Sequence, residues 1–274
     1  MRFEDFARQH GLIIREVIPH RWVSTPTEDH PKKRNGRYKF LGDVGWVQNW
    51  ATMPRPSMWK SDSPTRPVLI YQSMRDAERE REEAAKKAAA KAGWILKQCR
   101  NGHHKYLEAK GFPDETGNIW ETDGERLLVI PMRNRESLLG VQLINEQGQK
   151  KFLGGQRTKG AYFCIDAKGL PIFCEGYATA LSIRSVMKLI KLRYTIYVCF
   201  SAGNIKAVAN SILNGFVIAD NDPNRVGEQA ARDTNKPYWL SDQVGEDFND
   251  YHRRVGDFAA SQSLRKILLS NGVR

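Results

Sequence analysis

The sequence of 274 residues predicts an α/β protein whose C-terminal part is a mainly parallel, doubly wound sheet. Short apolar runs between residues 170 and 240 are each followed by a turn and a helix-like segment, which is the pattern of alternating strands and helices. Residues 99–168 combine a short helix with apolar strands, as in a mixed α+β subdomain. Residues 1–73 are rich in turns and alternating segments, which predicts a small β-rich domain.

The N-terminal domain is predicted element by element from its periodicity and turns. Residues 3–10 predict a short amphipathic helix that ends at Gly11. The apolar run at 12–18 predicts a strand. Residues 37–41 and 46–50 alternate around a glycine-containing turn and predict a hairpin.

The middle of the chain begins with a long helix. Residues 74–98 are dominated by Ala, Glu, Arg and Lys, which favours a solvent-exposed connecting helix over a nucleic-acid-binding arm. A helix near 105–110 and strands at 127–131 and 138–144 follow. Four cations then surround a glycine pair within 150–162, a composition that suits either a phosphate-binding loop or a solvated hairpin.

The C-terminal part contains four predicted strands with helices between them. Continuous apolar runs predict buried strands. Their ranges are 170–174, 195–200, 216–219 and 238–240. Helices are predicted at 177–189, at 205–213 and from Gly227 onward, so we assign residues 169–250 to one sheet domain and 251–274 to a C-terminal helical segment.

Carboxylates follow these strands at the edge where doubly wound sheets bind ligands. Glu175 follows the first strand, Asp220 and Asp222 follow the third, and Asp247 and Asp250 follow the last. Carboxylates about 4 Å apart repel by about 4 kcal/mol at an effective dielectric of about 20, so a cation is expected between them. Oxygen-only ligands suit Mg²⁺ or Mn²⁺. The alternative is that these acids only cap helices.

The charge of the chain points to a polyanionic partner. The formal net charge is +12, from 43 Lys and Arg against 31 Asp and Glu. Residues 169–250 are the exception, with nine acidic and eight basic residues. An acidic metal site between basic segments is typical of an enzyme that acts on nucleic acid. The alternative is that the excess of lysine and arginine only keeps the protein soluble.

Other classes are disfavoured by simple counts. No stretch reaches the roughly 18 uncharged apolar residues of a membrane span, and the acidic residues near the start argue against a secretory signal. We therefore expect a cytoplasmic protein without a membrane partner. The four cysteines are too far apart for a zinc ribbon or a disulfide framework. Cys99 with His103 and His104 lacks a fourth ligand, and no zinc is expected.

Several of these motifs together resemble the Toprim domain of bacterial, phage and plasmid DNA primases. That domain is marked by Glu-Gly after its first strand and Asp-x-Asp after its third, as in Glu175-Gly176 and Asp220 to Asp222. Further similar segments cover roughly residues 100–252. They are 106–111, 128–133, 140–144, 151–155, 159–162, 201–205, 227–231 and 247–250.

The resemblance implies a Toprim-type fold and synthesis of short RNA primers on single-stranded DNA from nucleoside triphosphates. It implies that Glu175, Asp220 and Asp222 bind the metal ions and that Asp247 completes or orients the metal shell. The metals would neutralise the triphosphate and activate the attacking 3′-hydroxyl. The candidates for gripping nucleotide phosphates and template are Arg133, Lys151, Arg157 and Lys159.

The chain departs from that family in two respects, because its sequence shows neither the cysteines of a zinc ribbon nor the P-loop of a helicase. No cysteine precedes Cys99, so the domain at 1–73 is the candidate for contacting template, through Lys32, Lys33 and Arg34 and through stacking on tryptophans. The tryptophans at 22, 46, 50 and 59 are more simply explained as its core. No Gly-Lys dipeptide is present, so we expect no P-loop and no fused helicase, and unwinding would need a separate helicase.

Two other functions remain open at this stage. A Toprim nuclease needs the same carboxylates but hydrolyses the phosphodiester bond. A non-catalytic DNA-binding replication accessory would keep the fold with an inactive metal site. A topoisomerase is disfavoured because it needs a gate-forming architecture and a tyrosine nucleophile.

Overall fold

The computed structural model describes residues 1–53, 55–62, 67–135 and 137–272, without the side chains of 67–74 and 77. The chain divides into two compact units, Met1–Glu83 and Ala84–Arg274. The long helix α2 (Pro67–Gln98) crosses this division and begins seven residues before the predicted helix of 74–98. Among the helices of the described residues, none combines the length and the apolar character that a membrane crossing requires.

The first unit is a four-stranded antiparallel sheet with one helix on it. Its elements are α1 (Phe3–Gln9), β1 (Trp22–Thr25), β2 (Gly36–Phe40), β3 (Val44–Asn49) and β4 (Ser57–Lys60), with strand order β1-β2-β3-β4. Phe3, Tyr38, Val47 and Trp59 form the core beneath α1. The predicted helix and hairpin are confirmed.

The predicted strand at 12–18 is wrong. Leu12 makes a single bridge to Thr27, and the rest of the segment is a loop. The hydroxyl of Tyr38 donates to the Glu16 carbonyl and accepts from the Ile18 amide, at 3.1 and 3.0 Å. A buried side chain therefore satisfies backbone groups that a neighbouring strand would otherwise pair.

The tryptophans of this unit do not share one environment. Trp59 is buried in the core, whereas the side chains of Trp22 and Trp50 are 43% and 48% exposed. The expectation that these tryptophans form the core is correct for Trp59 and wrong for Trp22 and Trp50, and Trp46 is half-buried on the same face as Trp22. The reason is strand alternation, because successive residues of a strand point to opposite faces and only one face packs against α1.

The second unit begins with an antiparallel sheet of order β5-β6-β7-β8-β9. Its elements are β5 (Arg100–Gly102), α3 (Lys105–Ala109), β6 (Gly117–Thr122), β7 (Glu125–Asn134), β8 (Ser137–Ile144) and β9 (Lys150–Phe152). Ala92 and Ile95 of α2 pack on Val129 and Val141 of this sheet. The predicted helix near 105–110 and the strands at 127–131 and 138–144 are confirmed.

The C-terminal part is the predicted doubly wound sheet, with order β10-β12-β11-β13-β14. Only the β10–β12 pairing is antiparallel. The strands are β10 (Phe163–Asp166), β11 (Leu170–Cys174), β12 (Tyr194–Val198), β13 (Phe216–Ala219) and β14 (Tyr238–Leu240). The helices are α4 (Tyr177–Leu189), α5 (Ala202–Ala209), α6 (Val226–Arg232) and α7 (Phe248–Ser270).

The central strand β11 is buried on both faces. Ile172 and Cys174 belong to the core formed with α4 and α7, whereas Phe173 belongs to the core formed with α5 and α6. The apolar run in the sequence reflects this double burial, because neither face of the strand meets water. The first polar side chain after β11 therefore stands at the carboxyl edge of the sheet.

Candidate metal centre

Glu175 follows β11 directly and faces the start of α5. Its carbonyl accepts a hydrogen bond from the Phe200 amide at 2.9 Å, which extends the pairing with the neighbouring strand past the end of β11. The backbone N–H of Ala202, at the first turn of α5, lowers the pKa of this carboxyl against the larger effects that raise it. The strand ladder and the helix together fix where this carboxylate lies.

Asp220 and Asp222 follow β13, the parallel neighbour of β11. The residue between them, Asn221, is held on the other side, because its amide group donates to the Ser241 carbonyl at 3.0 Å. Its backbone is also bonded to Gly245 and Glu246. Since successive side chains of extended chain alternate in direction, anchoring Asn221 directs both aspartates away from that anchor.

Asp247 is the N-cap of α7. Its Oδ1 accepts a hydrogen bond from the Asp250 amide at 2.8 Å, which satisfies one of the free N–H groups at the start of the helix. The neighbouring acids belong to ion pairs: Glu246 bonds Arg254 at 2.7 Å, and Asp250 lies 3.4 Å from Lys110. Asp247 takes part in neither of these two ion pairs, and its charge raises the pKa of Glu175 and of Asp220.

The four carboxylates interact electrostatically. Burial, followed by the charges of Glu175, Asp247 and Asp222, raises the pKa of Asp220 to about 8. Burial and then the charge of Asp222 raise the pKa of Glu175 above its usual range. The ion pairs formed among the described residues leave out Glu175, Asp220 and Asp222. The negative charge at this edge is therefore only partly compensated by the protein.

A divalent cation fits this arrangement. The Oδ1 atom of Asp220 is buried and has no hydrogen-bond partner, which is costly unless a ligand supplies one. Across the described ranges, however, no three His, Cys, Asp or Glu side chains stand close enough to hold an ion unaided. Mg²⁺ usually binds through one or two carboxylates, with water and substrate phosphates completing its shell. An all-protein cage is not required.

Lys150 is a cation that acts on this cluster, and it was not among the predicted site residues. It lowers the pKa of both Glu175 and Asp220, against the larger effects that raise them. Its Nζ lies 4.0 Å from the point where a β-carbon would stand on Gly176. The sequence prediction named Lys151 instead of Lys150. In a run of two lysines, the sequence alone does not show which side chain points toward the carboxylates.

A cavity of about 400 Å³ adjoins Lys150. Its lining includes three cations, Lys110, Lys150 and Arg253, and one acid, Glu146. The excess of positive charge in this lining suits a ligand that carries several negative charges. Lys110 and Arg253 were likewise absent from the predicted site, because they come from α3's C-cap and from α7, far apart in sequence.

The predicted basic residues of the second unit lie on exposed segments. Arg133 is at the end of β7, Lys151 is in β9, and Arg157 and Lys159 are in the loop before β10. That loop is anchored by Asn204 of α5, whose side chain accepts from the Gly160 amide at 2.6 Å and donates to the Ala161 carbonyl at 2.7 Å. The loop is therefore fixed to the carboxyl edge of the sheet.

Lys32, Lys33 and Arg34 lie in the first unit, in an exposed turn before β2. The structure confirms that this turn is solvent-accessible. Their assigned contact with template stays a prediction.

Residues 171–257 match the family model of the Toprim domain. This segment is similar to the Toprim domain, and we call it the Toprim domain after that match. The match runs from β11 into α7 and includes Glu175, Asp220, Asp222 and Asp247. The resemblance inferred from the Glu-Gly and Asp-x-Asp motifs is confirmed over this domain.

The chain also resembles a solved structure. One chain of the complex described as bacteriophage T7 lagging-strand DNA polymerase (D5A/E7A) interacting with primase domains of two gp4 subunits, bound to an RNA/DNA hybrid and dTTP, aligns over 62% of this chain and 92% of its own. The identity is 13% and the TM-score is 0.44. No curated protein matches the chain in sequence.

The raised pKa of Asp220 in the Toprim domain predicts a stability that depends on pH. Its pKa of about 8 exceeds the ordinary 3.8, so between these values the folded protein holds more protons than the unfolded chain. We expect this group's contribution to the free energy of unfolding to be fully present below about pH 4 and to be lost as the pH rises toward 8. Urea unfolding in EDTA at pH 5, 6.5 and 8 measures it.

The matched variant is Asp220→Asn, which cannot ionise. The fall in stability with pH should be smaller in this variant than in the wild type. Equal slopes for the two proteins would contradict the burial of an ionisable Asp220 at this position.

Proposed function

We propose that this protein is a template-directed DNA primase that synthesises short RNA primers on single-stranded DNA by metal-dependent nucleotidyl transfer. The observation that carries the proposal is the unpartnered, buried Oδ1 of Asp220 within four interacting carboxylates at the carboxyl edge of the Toprim domain. The basic net charge of +12 supports a polyanionic template and nucleoside triphosphates as partners.

In this proposal Glu175, Asp220 and Asp222 hold Mg²⁺ or Mn²⁺, and Asp247 completes or orients the site. When bound, the cation stabilises negative charge on the transferring phosphoryl group and favours deprotonation of the attacking 3′-hydroxyl. The backbone N–H of Ala202 favours the charged form of Glu175, and the hydrogen bond from Asn221 to Ser241 holds the backbone between the two aspartates. These contacts prepare the carboxylates before any ligand arrives.

We assign the cavity with Lys110, Lys150 and Arg253 to the triphosphate of the incoming nucleotide. The cavity shares Lys150 with the carboxylate cluster, and its three cations outnumber its one acid, Glu146, so it can neutralise phosphates. The exposed Arg133, Lys151, Arg157 and Lys159 are assigned to the backbone of the template or primer. Asn204 anchors the loop that carries Lys159, which supports the assignment of Lys159 to the template or primer backbone.

Lys150→Ala is expected to raise KM for the nucleotide about tenfold, because one charge-assisted contact to phosphate is worth about 1.5–3 kcal/mol. Lys151→Ala is the matched control, since it removes the same side chain from the next position of the same strand. Steady-state incorporation of labelled nucleotide over a range of nucleotide concentrations measures both. An equal effect at both positions would count against the assignment of Lys150 to the triphosphate.

The proposed activity is tested directly by incubation with mixed-sequence single-stranded DNA, Mg²⁺ and labelled ribonucleotides. Newly made oligomers that depend on template and metal support a primase. Shortened DNA without new oligomers would instead identify a Toprim nuclease. Binding of DNA with neither product, in a protein whose melting temperature does not respond to millimolar Mg²⁺, would identify a non-catalytic accessory.

A further inference from the structure

One face of the sheet in the first unit carries aromatic and basic side chains that are exposed or half-buried. In the register of the sheet, Trp22 pairs with Lys39, Lys39 with Trp46, and Trp46 with Met58, so these four form a row across all four strands. Directly paired residues of antiparallel strands project to the same face. Their face is opposite to the one on which Tyr38 and Trp59 pack against Phe3 of α1.

This surface, which we call the tryptophan face, has a defined set of members. They alternate with the core residues along β1 to β4 and continue to the residue after β3. They are Trp22, Ser24, Arg37, Lys39, Val44, Trp46, Gln48, Trp50, Met58 and Lys60, of which Gln48 is buried. None of the residues of β1, β2, β3 and β4 is acidic. The charged side chains that these strands place on the face are therefore all basic, and they lie among aromatic rings.

Arg37 organises the rings of the tryptophan face. Its guanidinium carbon lies 4.5 Å from the ring centroid of Trp22 and 5.9 Å from that of Trp50. Its Nε donates a hydrogen bond to Oε1 of Gln48 at 3.0 Å, which fixes the guanidinium on the sheet. These contacts hold two tryptophans in place although each is nearly half exposed, so a ligand that uses them loses little side-chain entropy on binding.

The tryptophan face continues into a basic turn. The backbone N–H of Trp50 donates to the carbonyl of Asn35 at 3.1 Å, which joins the Trp50 end of the face to the turn that carries Lys32, Lys33 and Arg34. Exposed rings on a flat sheet, bordered by cations, form the combination that binds unpaired bases by stacking and their phosphates by charge.

We propose that the tryptophan face binds single-stranded DNA. Bases stack on Trp22 and Trp50, while Arg37, Lys39, Lys60 and the basic turn contact phosphates. An apolar protein surface fits less well, because it would leave these cations without counter-charges. Duplex DNA hides the base faces on which the rings would stack. That the strand is DNA rather than RNA rests on the proposed template-directed function.

The test is fluorescence anisotropy of a labelled oligo(dT) with the full chain and its Trp22→Ala variant. We expect affinity to fall at least fivefold, because loss of one base-stacking contact has about this minimum effect, and Trp22→Phe to restore most of it. Trp94→Ala is the matched control, since Trp94 is 54% exposed in the second unit, and it should change affinity less than twofold. Unchanged melting temperatures show that the variants remain folded.

Other outcomes overturn the proposal. Equal affinity of wild type and Trp22→Ala for oligo(dT) would exclude stacking on this face. Tighter binding of oligo(U) or of duplex DNA would assign the face to another nucleic acid, and a dimer lost only in Trp22→Ala would assign it to a second copy of the chain. Asp220→Asn should keep normal oligo(dT) affinity, so failure of the tryptophan face and failure of the metal centre are distinguishable.

Discussion

We expect Glu175→Gln to lower metal-dependent nucleotide incorporation by about 10²- to 10³-fold, the usual effect of removing one group that stabilises transition-state charge. Glutamine keeps the size of the side chain and removes only its negative charge, so the loss isolates that charge. Template-dependent incorporation of labelled nucleotide in Mg²⁺ measures the effect. Affinity for oligo(dT) should remain within twofold of wild type.

The same variant should not be less stable than wild type in EDTA. Burial and the charge of Asp222 raise the pKa of Glu175, so a neutral side chain relieves repulsion in the folded state. Glu228→Gln is the matched control, because Glu228 lies in the same Toprim domain and forms a 2.7 Å pair with Arg232 on α6. Full activity in Glu175→Gln, or equal losses in both variants, would contradict a metal-binding role for Glu175.

Gly227→Ala lowers the free energy of unfolding by about 1–3 kcal/mol, the range for overpacking a well-packed site. A β-carbon on Gly227 would stand 2.3 Å from the carbonyl oxygen of Asp220. Because this obstacle is backbone, α6 would have to move away from the end of β13, and the position of Asp220 would change with it. Urea unfolding and nucleotide incorporation should therefore both be impaired.

Gly203→Ala provides the matched control within the same domain. No atom lies within 4 Å of its would-be β-carbon, and Gly203 is inside α5. Alanine there should leave stability unchanged or raise it by up to about 1 kcal/mol, as expected for a helix. Wild-type stability in Gly227→Ala would show that α6 does not pack on Asp220 as closely as described.

The Toprim domain was the most predictable part of the fold. The bounds of β11, β13, β14 and α4 agree with the sequence prediction, because strands buried on both faces are continuous apolar runs that end abruptly at polar turns. The predicted helix at 205–213 instead occupies Ala202–Ala209. Helix ends are less well determined, since small and polar residues such as Ser201 and Gly203 fit both a turn and a first helical turn.

The first unit was less predictable, because its segments depend on contacts between distant residues. The apolar run at 12–18 is a loop since the Tyr38 hydroxyl satisfies its backbone. Which tryptophans are buried depends on which sheet face receives α1, and strand alternation alone does not determine that. In the candidate site, likewise, the carboxylates follow from strand ends, whereas the approach of Lys150 depends on side-chain direction in β9.

The pairing of β11 with β13 sets the spacing of the candidate metal centre. Glu175 and Asp220 emerge from adjacent hydrogen-bonded strands, which lie about 4.8 Å apart in any sheet. Loop exchanges elsewhere in the Toprim domain would leave this distance untouched, because it is a property of the backbone ladder. The backbones that carry the two carboxylates are consequently held as firmly as the hydrophobic core, and they separate only when the sheet opens.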